Sequence, residues 1–91
     1  MSSIGPRWQI IIQRSAKRVL RRLPRDVVER ISIAIEALAD NPRPPDSRKL
    51  VGYDLYRIRV GDWRIIYALE NDQLIIVVVE IGARGQVYRD L

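Results

Sequence analysis

Between two runs of strand-forming residues, 53–60 and 63–69, the chain has only Gly61-Asp62 with which to turn. A two-residue loop of this type between alternating runs specifies an antiparallel hairpin, and it fixes which residues face each other. Val60 should meet Trp63, Arg59 should meet Arg64, Ile58 should meet Ile65, and Tyr56 should meet Tyr67. Because side chains alternate across a strand, Arg57, Arg59 and Arg64 then share one face, and Tyr56, Ile58, Ile65 and Tyr67 share the other. Like charges directly opposed in a sheet are destabilising by roughly 0.2–1 kcal/mol, so an anion that neutralises the arginines is one explanation for them. A solvated face whose arginines pair with Asp62, Glu70 or Glu80 is the other.

The remaining pattern places further elements around this hairpin. WQIIIQ at 8–13 reads as a buried strand. Ser15 is positioned to cap a short helix over 16–22 that turns Ala16, Val19, Leu20 and Leu23 inward. Leu23-Pro24 is a break, with Pro24 suited to the first turn of a second helix that runs to Asp40. Val27, Val28, Ile31, Ala34, Ile35 and Leu38 recur along it at steps of mostly three and four. The three prolines of Asn41-Pro42-Arg43-Pro44-Pro45-Asp46 end that helix, and a loop is expected to about Gly52. After the hairpin, Asn71-Asp72 turns the chain into an apolar run, 74–81, suited to a central strand. The order is one strand, two helices and a three-stranded meander, which is an α+β pattern with four strands. Residues 84–91 allow one or two helical turns, although Gly85 disfavours them.

Composition narrows the chemistry. Ninety-one residues, 47% hydrophobic and 30% charged, fit one folded domain. No apolar run reaches the roughly 18 residues of a membrane span, and MSSIGPRWQ lacks the features of a signal peptide, so a cytoplasmic protein with no membrane partner is expected. Without cysteine there is no disulfide or thiolate site, and without histidine the usual neutral-pH proton shuttle is missing. Catalysis would have to use Arg, Lys, Tyr, Asp or Glu. Fourteen of the sixteen basic residues are arginine and the net charge is +5, so an anionic partner is the first expectation, since the guanidinium fork grips phosphate through two hydrogen bonds; an Arg-rich solvated surface and attraction to acidic lipid fit the same net charge. The excess is concentrated early: residues 1–30 hold eight basic residues against Asp26 and Glu29. Asp46, Asp54, Asp62 and Asp72 fall in loops or turns, where aspartate serves the backbone. No spacing suggests a metal, a cofactor loop or a nucleophile elbow.

Two C-terminal residues extend the arginine face. Arg84 follows Gly82-Ala83 at the end of the last run, and Tyr88 lies four residues on, one turn away if that segment is helical. Tyr88 offers a ring on which a base can stack; a ring that caps the core is the alternative.

The stretches LPRDVVERI (23–31), RKLVG (48–52), YRIRVGDWRIIY (56–67) and VVVEIGARGQVYRDL (77–91), in this order along nearly the whole chain, resemble the RelE/ParE superfamily of toxins from toxin–antitoxin pairs. The resemblance implies an N-terminal helical hairpin packed on a small, mostly antiparallel twisted four-stranded sheet, with a short C-terminal helical segment. RelE-like members cut messenger RNA on the ribosome, whereas ParE-like members poison DNA gyrase. Carried over position by position, the RelE catalytic set falls on Arg57, Arg59, Arg64, Arg84 and Tyr88. It implies cleavage by the RNA's own 2′-hydroxyl with no metal or cofactor, and as partners a cognate antitoxin, the ribosome and mRNA. Arg14, Lys17, Arg18, Arg21, Arg22, Arg25 and Lys49 would contact RNA on the ribosome; a solvated helix face is the competing reading for the helical ones. Two departures stand out. Arg57 and Arg59 replace lysines, and Gly82-Ala83-Arg84-Gly85 replaces a motif that often reads Gly-His-Arg-Arg. A gyrase-blocking toxin and a non-toxic family member are the rival functions.

Overall fold

The computed structural model describes residues 7–83. Its elements are β1 (Gln9–Ile12), α1 (Arg14–Arg22), α2 (Arg25–Asp40), β2 (Arg48–Lys49), β3 (Tyr56–Val60), β4 (Trp63–Glu70) and β5 (Ile75–Ala83). The strands form one sheet in the order β1-β5-β4-β3-β2. All ladders are antiparallel except β1 with β5, which run parallel with Gln9 beside Ile75 and Ile12 beside Val78.

Both helices lie on one face of this sheet, because both carry an apolar stripe that only the sheet can cover. Ala16 from α1 and Ile31, Ile35 and Leu38 from α2 are buried against Ile58, Ile65, Tyr67, Ile76, Val78 and Ile81. The helical hairpin closes at Leu23, whose N–H donates to the Leu20 carbonyl. One hydrogen bond and one close approach orient the sheet beneath the helices. The Trp8 N–H donates to the Ala39 carbonyl at 2.9 Å, which puts the end of α2 beside the start of β1. At the opposite end, the Arg30 guanidinium lies 3.8 Å from where a Cβ on Gly61 would stand, so the start of α2 overlies the β3–β4 turn.

Several boundaries differ from the sequence reading. The sheet has five strands, not four: Arg48–Lys49, inside the stretch read as loop, pairs with Arg57 and Tyr56. Two residues are too few to show a period of two, so this strand leaves no trace in the pattern. β3 starts at Tyr56 and not at residue 53, since Gly52 takes φ 83° and the Tyr53 N–H closes a turn onto the Leu50 carbonyl. The turn after β4 spans 71–74, with Leu74 itself at φ 56°, so β5 begins one residue later than expected and continues to Ala83. Helix α1 begins at Arg14, ahead of the proposed Ser15 cap; Gln13 is the N-cap residue and supplies no side-chain bond. Ser15 sits inside the first turn, and its hydroxyl donates to the Val79 carbonyl at 3.4 Å, tying α1 to β5. Pro24 is the residue before α2, with ψ 151°, and not its first helical residue. The expected C-terminal helical segment lies outside the described residues. Among the described residues no helix is long and apolar enough to cross a membrane.

Candidate active site

The hairpin register is the one that the two-residue loop dictates: Val60 with Trp63, Arg59 with Arg64, Ile58 with Ile65 and Tyr56 with Tyr67. Gly61 takes φ 60°, the conformation a type II′ turn requires at its first central position and one that glycine adopts without penalty. Arg57, Arg59 and Arg64 are therefore on the face away from the helices. Arg59, Gly61, Asp62 and Arg64 line a small depression of ≈ 50 Å³ at the turn. Arg57 is half-buried, and its Nε is buried with no hydrogen-bond partner among the described residues. A buried guanidinium donor left unmade is costly in a finished fold and is what a site awaiting an acceptor looks like.

The fifth strand adds a residue that sequence reasoning missed. Facing residues of an antiparallel pair share a face, so Arg48, opposite Arg57, joins the arginine face, while Lys49, opposite Tyr56, is on the side of the helices. Lys49 has an acidic neighbour, with Nζ 3.8 Å from Asp54 Oδ1. Arg48 is exposed and forms no ion pair among the described residues. Once β2 is paired with β3 the assignment is automatic, but nothing in RKLVG announces the pairing.

Two further features shape this face. Ile66, beside Arg57 in the ladder, is fully buried, so the arginines rise from an apolar floor and not from a solvated one. Glu80 stands on the other side of Ile66 in β5, placed there by a bulge between Ile66 and Tyr67. Arg84 and Tyr88 fall outside the described residues.

The basic helix face is well defined. Arg14, Lys17, Arg18 and Arg21 recur at helical spacing along α1 and line a groove of ≈ 280 Å³. None of the four, nor Arg22 or Arg25, forms an ion pair or side-chain hydrogen bond among the described residues. Like charges three and four positions apart repel, by a few tenths of a kcal/mol per pair, and α1 carries no acidic residue to offset this.

A second set of contacts braces the proline loop. The Tyr67 hydroxyl donates to the Pro42 carbonyl at 2.8 Å, the Tyr67 ring stacks on Tyr56 at 5.8 Å, and Arg43 lies 5.4 Å over the Tyr56 ring. Burial pushes the Tyr67 phenol up to about 12.

With this geometry in place, comparison with known proteins gives a consistent answer. The family described as the ParE toxin of the parDE type II toxin–antitoxin system matches residues 10–88. A toxin of Methanocaldococcus jannaschii named RelE1 is 30% identical over 88 residues, covering 92% of this chain and 98% of its own. An Escherichia coli protein named as RelE-like is 32% identical over 81 residues, covering 86% of this chain and 84% of its own. Among solved structures, the toxin of the archaeal RelE–RelB complex from Pyrococcus horikoshii superposes with a TM-score of 0.78 at 29% identity, over 88% of this chain and 98% of that one. The intact E. coli RelBE complex gives 0.76 at 21% identity, over 87% and 99%, a likeness of fold. The chain belongs to the RelE/ParE superfamily of toxins of type II toxin–antitoxin systems, in its RelE-like branch.

Proposed function

We propose that the protein is a ribosome-dependent endoribonuclease that cuts messenger RNA by attack of the RNA's own 2′-hydroxyl on the adjacent phosphorus. The products are a 2′,3′-cyclic phosphate and a 5′-hydroxyl. The observation that carries this reading is Arg59 facing Arg64 across the hairpin, with Arg57 beside them on one face. Because the RNA supplies the nucleophile, the protein has to align it and neutralise charge. Arg59 and Arg64 bind the non-bridging oxygens as negative charge develops there, and Arg57 grips a flanking phosphate. By family resemblance Arg84 stabilises the leaving 5′-oxygen, and Tyr88 stacks on the base beside the cut. The test is message cleavage on translating ribosomes. Arg64→Ala should cut about a hundredfold more slowly or worse, the usual cost of removing one charge-stabilising group. Equal cleavage by the variant and the wild type refutes the assignment.

Ribosome docking is assigned to the α1 face of Arg14, Lys17, Arg18 and Arg21, where unpaired cations can bind an RNA backbone. An antitoxin partner is supported by the solved relatives, several of which are complexes of RelE with RelB. An acidic or amphipathic antitoxin segment would cover the arginine face, and co-expression with the neighbouring reading frame followed by co-purification tests it. The matching family is named for ParE, which keeps gyrase poisoning as the second reading. Induction that breaks chromosomal DNA while a reporter message stays intact selects that reading.

A further inference from the structure

The cleavage proposed above needs an acceptor for the 2′-hydroxyl proton. The chain has no histidine, and guanidinium groups hold their protons too firmly to serve as bases. Strand β5 presents a carboxylate in the right place, for a specific structural reason. Ile76 and Val78 are fully buried on the side of the helices. Strict alternation would carry residue 80 into that same core and turn residue 81 to the arginine face. The ladder does not continue that way: Tyr67 pairs with Val78 and Ile66 pairs with Glu80, so Val79 is an extra residue in β5. This one-residue bulge reverses the phase of the strand, sending Ile81 into the core at 3% exposure and Glu80 to the face of the arginines.

Glu80 therefore completes a row across the sheet, Arg48, Arg57, Ile66, Glu80. It is also the diagonal neighbour of Arg64, whose direct partner is Gly82, a separation of about 7–8 Å in an antiparallel sheet. Gly82 puts no side chain between them. Glu80 is half-buried, and among the described residues it makes no ion pair. Among the described residues the other carboxylate close to the cluster is Asp62, exposed in the turn at the rim of the depression.

We propose that Glu80 is the general base of the cleavage reaction, an inference that rests on the ribonuclease reading. A phosphodiester gripped by Arg57 and Arg64 has β5 on one side, where its 2′-hydroxyl meets Glu80. The Glu80 carboxylate takes the hydroxyl proton as the O2′–P bond forms. The P–O5′ bond breaks, its electron pair stays on O5′, and that oxygen takes a proton from water. Glu80 then returns its own proton to solvent, and no metal or redox partner enters the balance.

The test compares wild type with Glu80→Gln, which keeps shape and hydrogen bonding but accepts no proton, in single-turnover cleavage on programmed ribosomes. A parallel titration uses a message carrying 2′-O-methyl groups, which binds but cannot react. Glu80→Gln should lower the cleavage rate by about a hundredfold or more while leaving affinity for the methylated message unchanged. Asp72→Asn, at an exposed carboxylate in the turn after β4, should cut at the wild-type rate. Formate added to Glu80→Ala should restore part of the lost rate, a response that a merely structural carboxylate does not give. Wild-type cleavage by Glu80→Gln, or no rescue by formate, each overturns the assignment while leaving the ribonuclease reading intact. Wild-type protein that leaves the message whole removes that reading, and Glu80's role with it.

Discussion

Replacing Tyr67 with phenylalanine tests the core and the proline loop together. Tyr67 is fully buried, and its hydroxyl hydrogen bond to the Pro42 carbonyl at 2.8 Å is the link between the centre of β4 and the segment that leaves α2. Phenylalanine keeps the ring and its stacking on Tyr56 but removes the donor, leaving a carbonyl short of a partner. The expected cost is about 1–3 kcal/mol near neutral pH, or several degrees in Tm for a domain of this size. The pH dependence gives a second, independent signature. Burial raises the Tyr67 phenol to about 12 in the folded state, against about 10 when unfolded. The stabilisation is therefore complete below pH ~10 and is lost as the pH rises toward ~12, because the unfolded chain gives up the proton that the folded chain retains. Two pH units correspond to about 2.7 kcal/mol at most. Wild type should thus fall toward the stability of Tyr67→Phe as the pH approaches ~12. Urea unfolding followed by circular dichroism across this range, with phenolate absorbance read alongside, measures both effects. If the variant loses stability in parallel with wild type, the phenol is not the group responsible and the burial argument fails.

Other outcomes follow from the same geometry. Ile31→Ala removes a fully buried side chain at the helix–sheet interface and should cost about 2–5 kcal/mol, enough to leave so small a domain largely unfolded in a thermal melt. Gly61→Ala should destabilise by roughly 1–2 kcal/mol through its φ of 60° and not through a clash, since the nearest atom to the added Cβ is the flexible Arg30 guanidinium at 3.8 Å; an unchanged melting temperature would contradict the turn assignment. Reversing Arg18, Arg21 and Arg22 to glutamate should weaken ribosome binding most at low salt, and an unchanged salt series removes the docking face. Arg7→Ala breaks the exposed pairing with Glu36 and Asp40, each at 3.2 Å, and should lower the melting temperature slightly at low salt and not at all at high salt.

The hairpin was legible because the two-residue loop leaves no freedom of register; all four facing pairs and the common face of the three arginines follow from it. The second helix was legible through the spacing of Ile31, Ile35 and Leu38. What sequence could not supply is information that lies between distant segments. The edge strand Arg48–Lys49 exists only because β3 offers it a ladder, and that ladder, not the local sequence, puts Arg48 on the arginine face and Lys49 on the other. The bulge at Val79 leaves no mark in the apolar residues around it, although the lone glutamate among them is the clue that the alternation must shift. Ser15 suits a cap by residue type, yet its hydroxyl reaches across to β5.

The parallel ladder has a consequence for how the molecule comes into being. Strand β1 is made first, but its neighbour β5 is made last, joining residue 9 to residue 75. Closing so long a loop is entropically unfavourable until the intervening elements have condensed, and at 5–20 residues per second synthesis alone delays it by several seconds. A nascent chain thus emerges with its first strand unmated and the glutamate of β5 still unmade. The arginine face is assembled by pairings of neighbouring strands, so it can be complete before the sheet closes on β1, and a partner made alongside the chain has an interval in which to meet an unfinished fold.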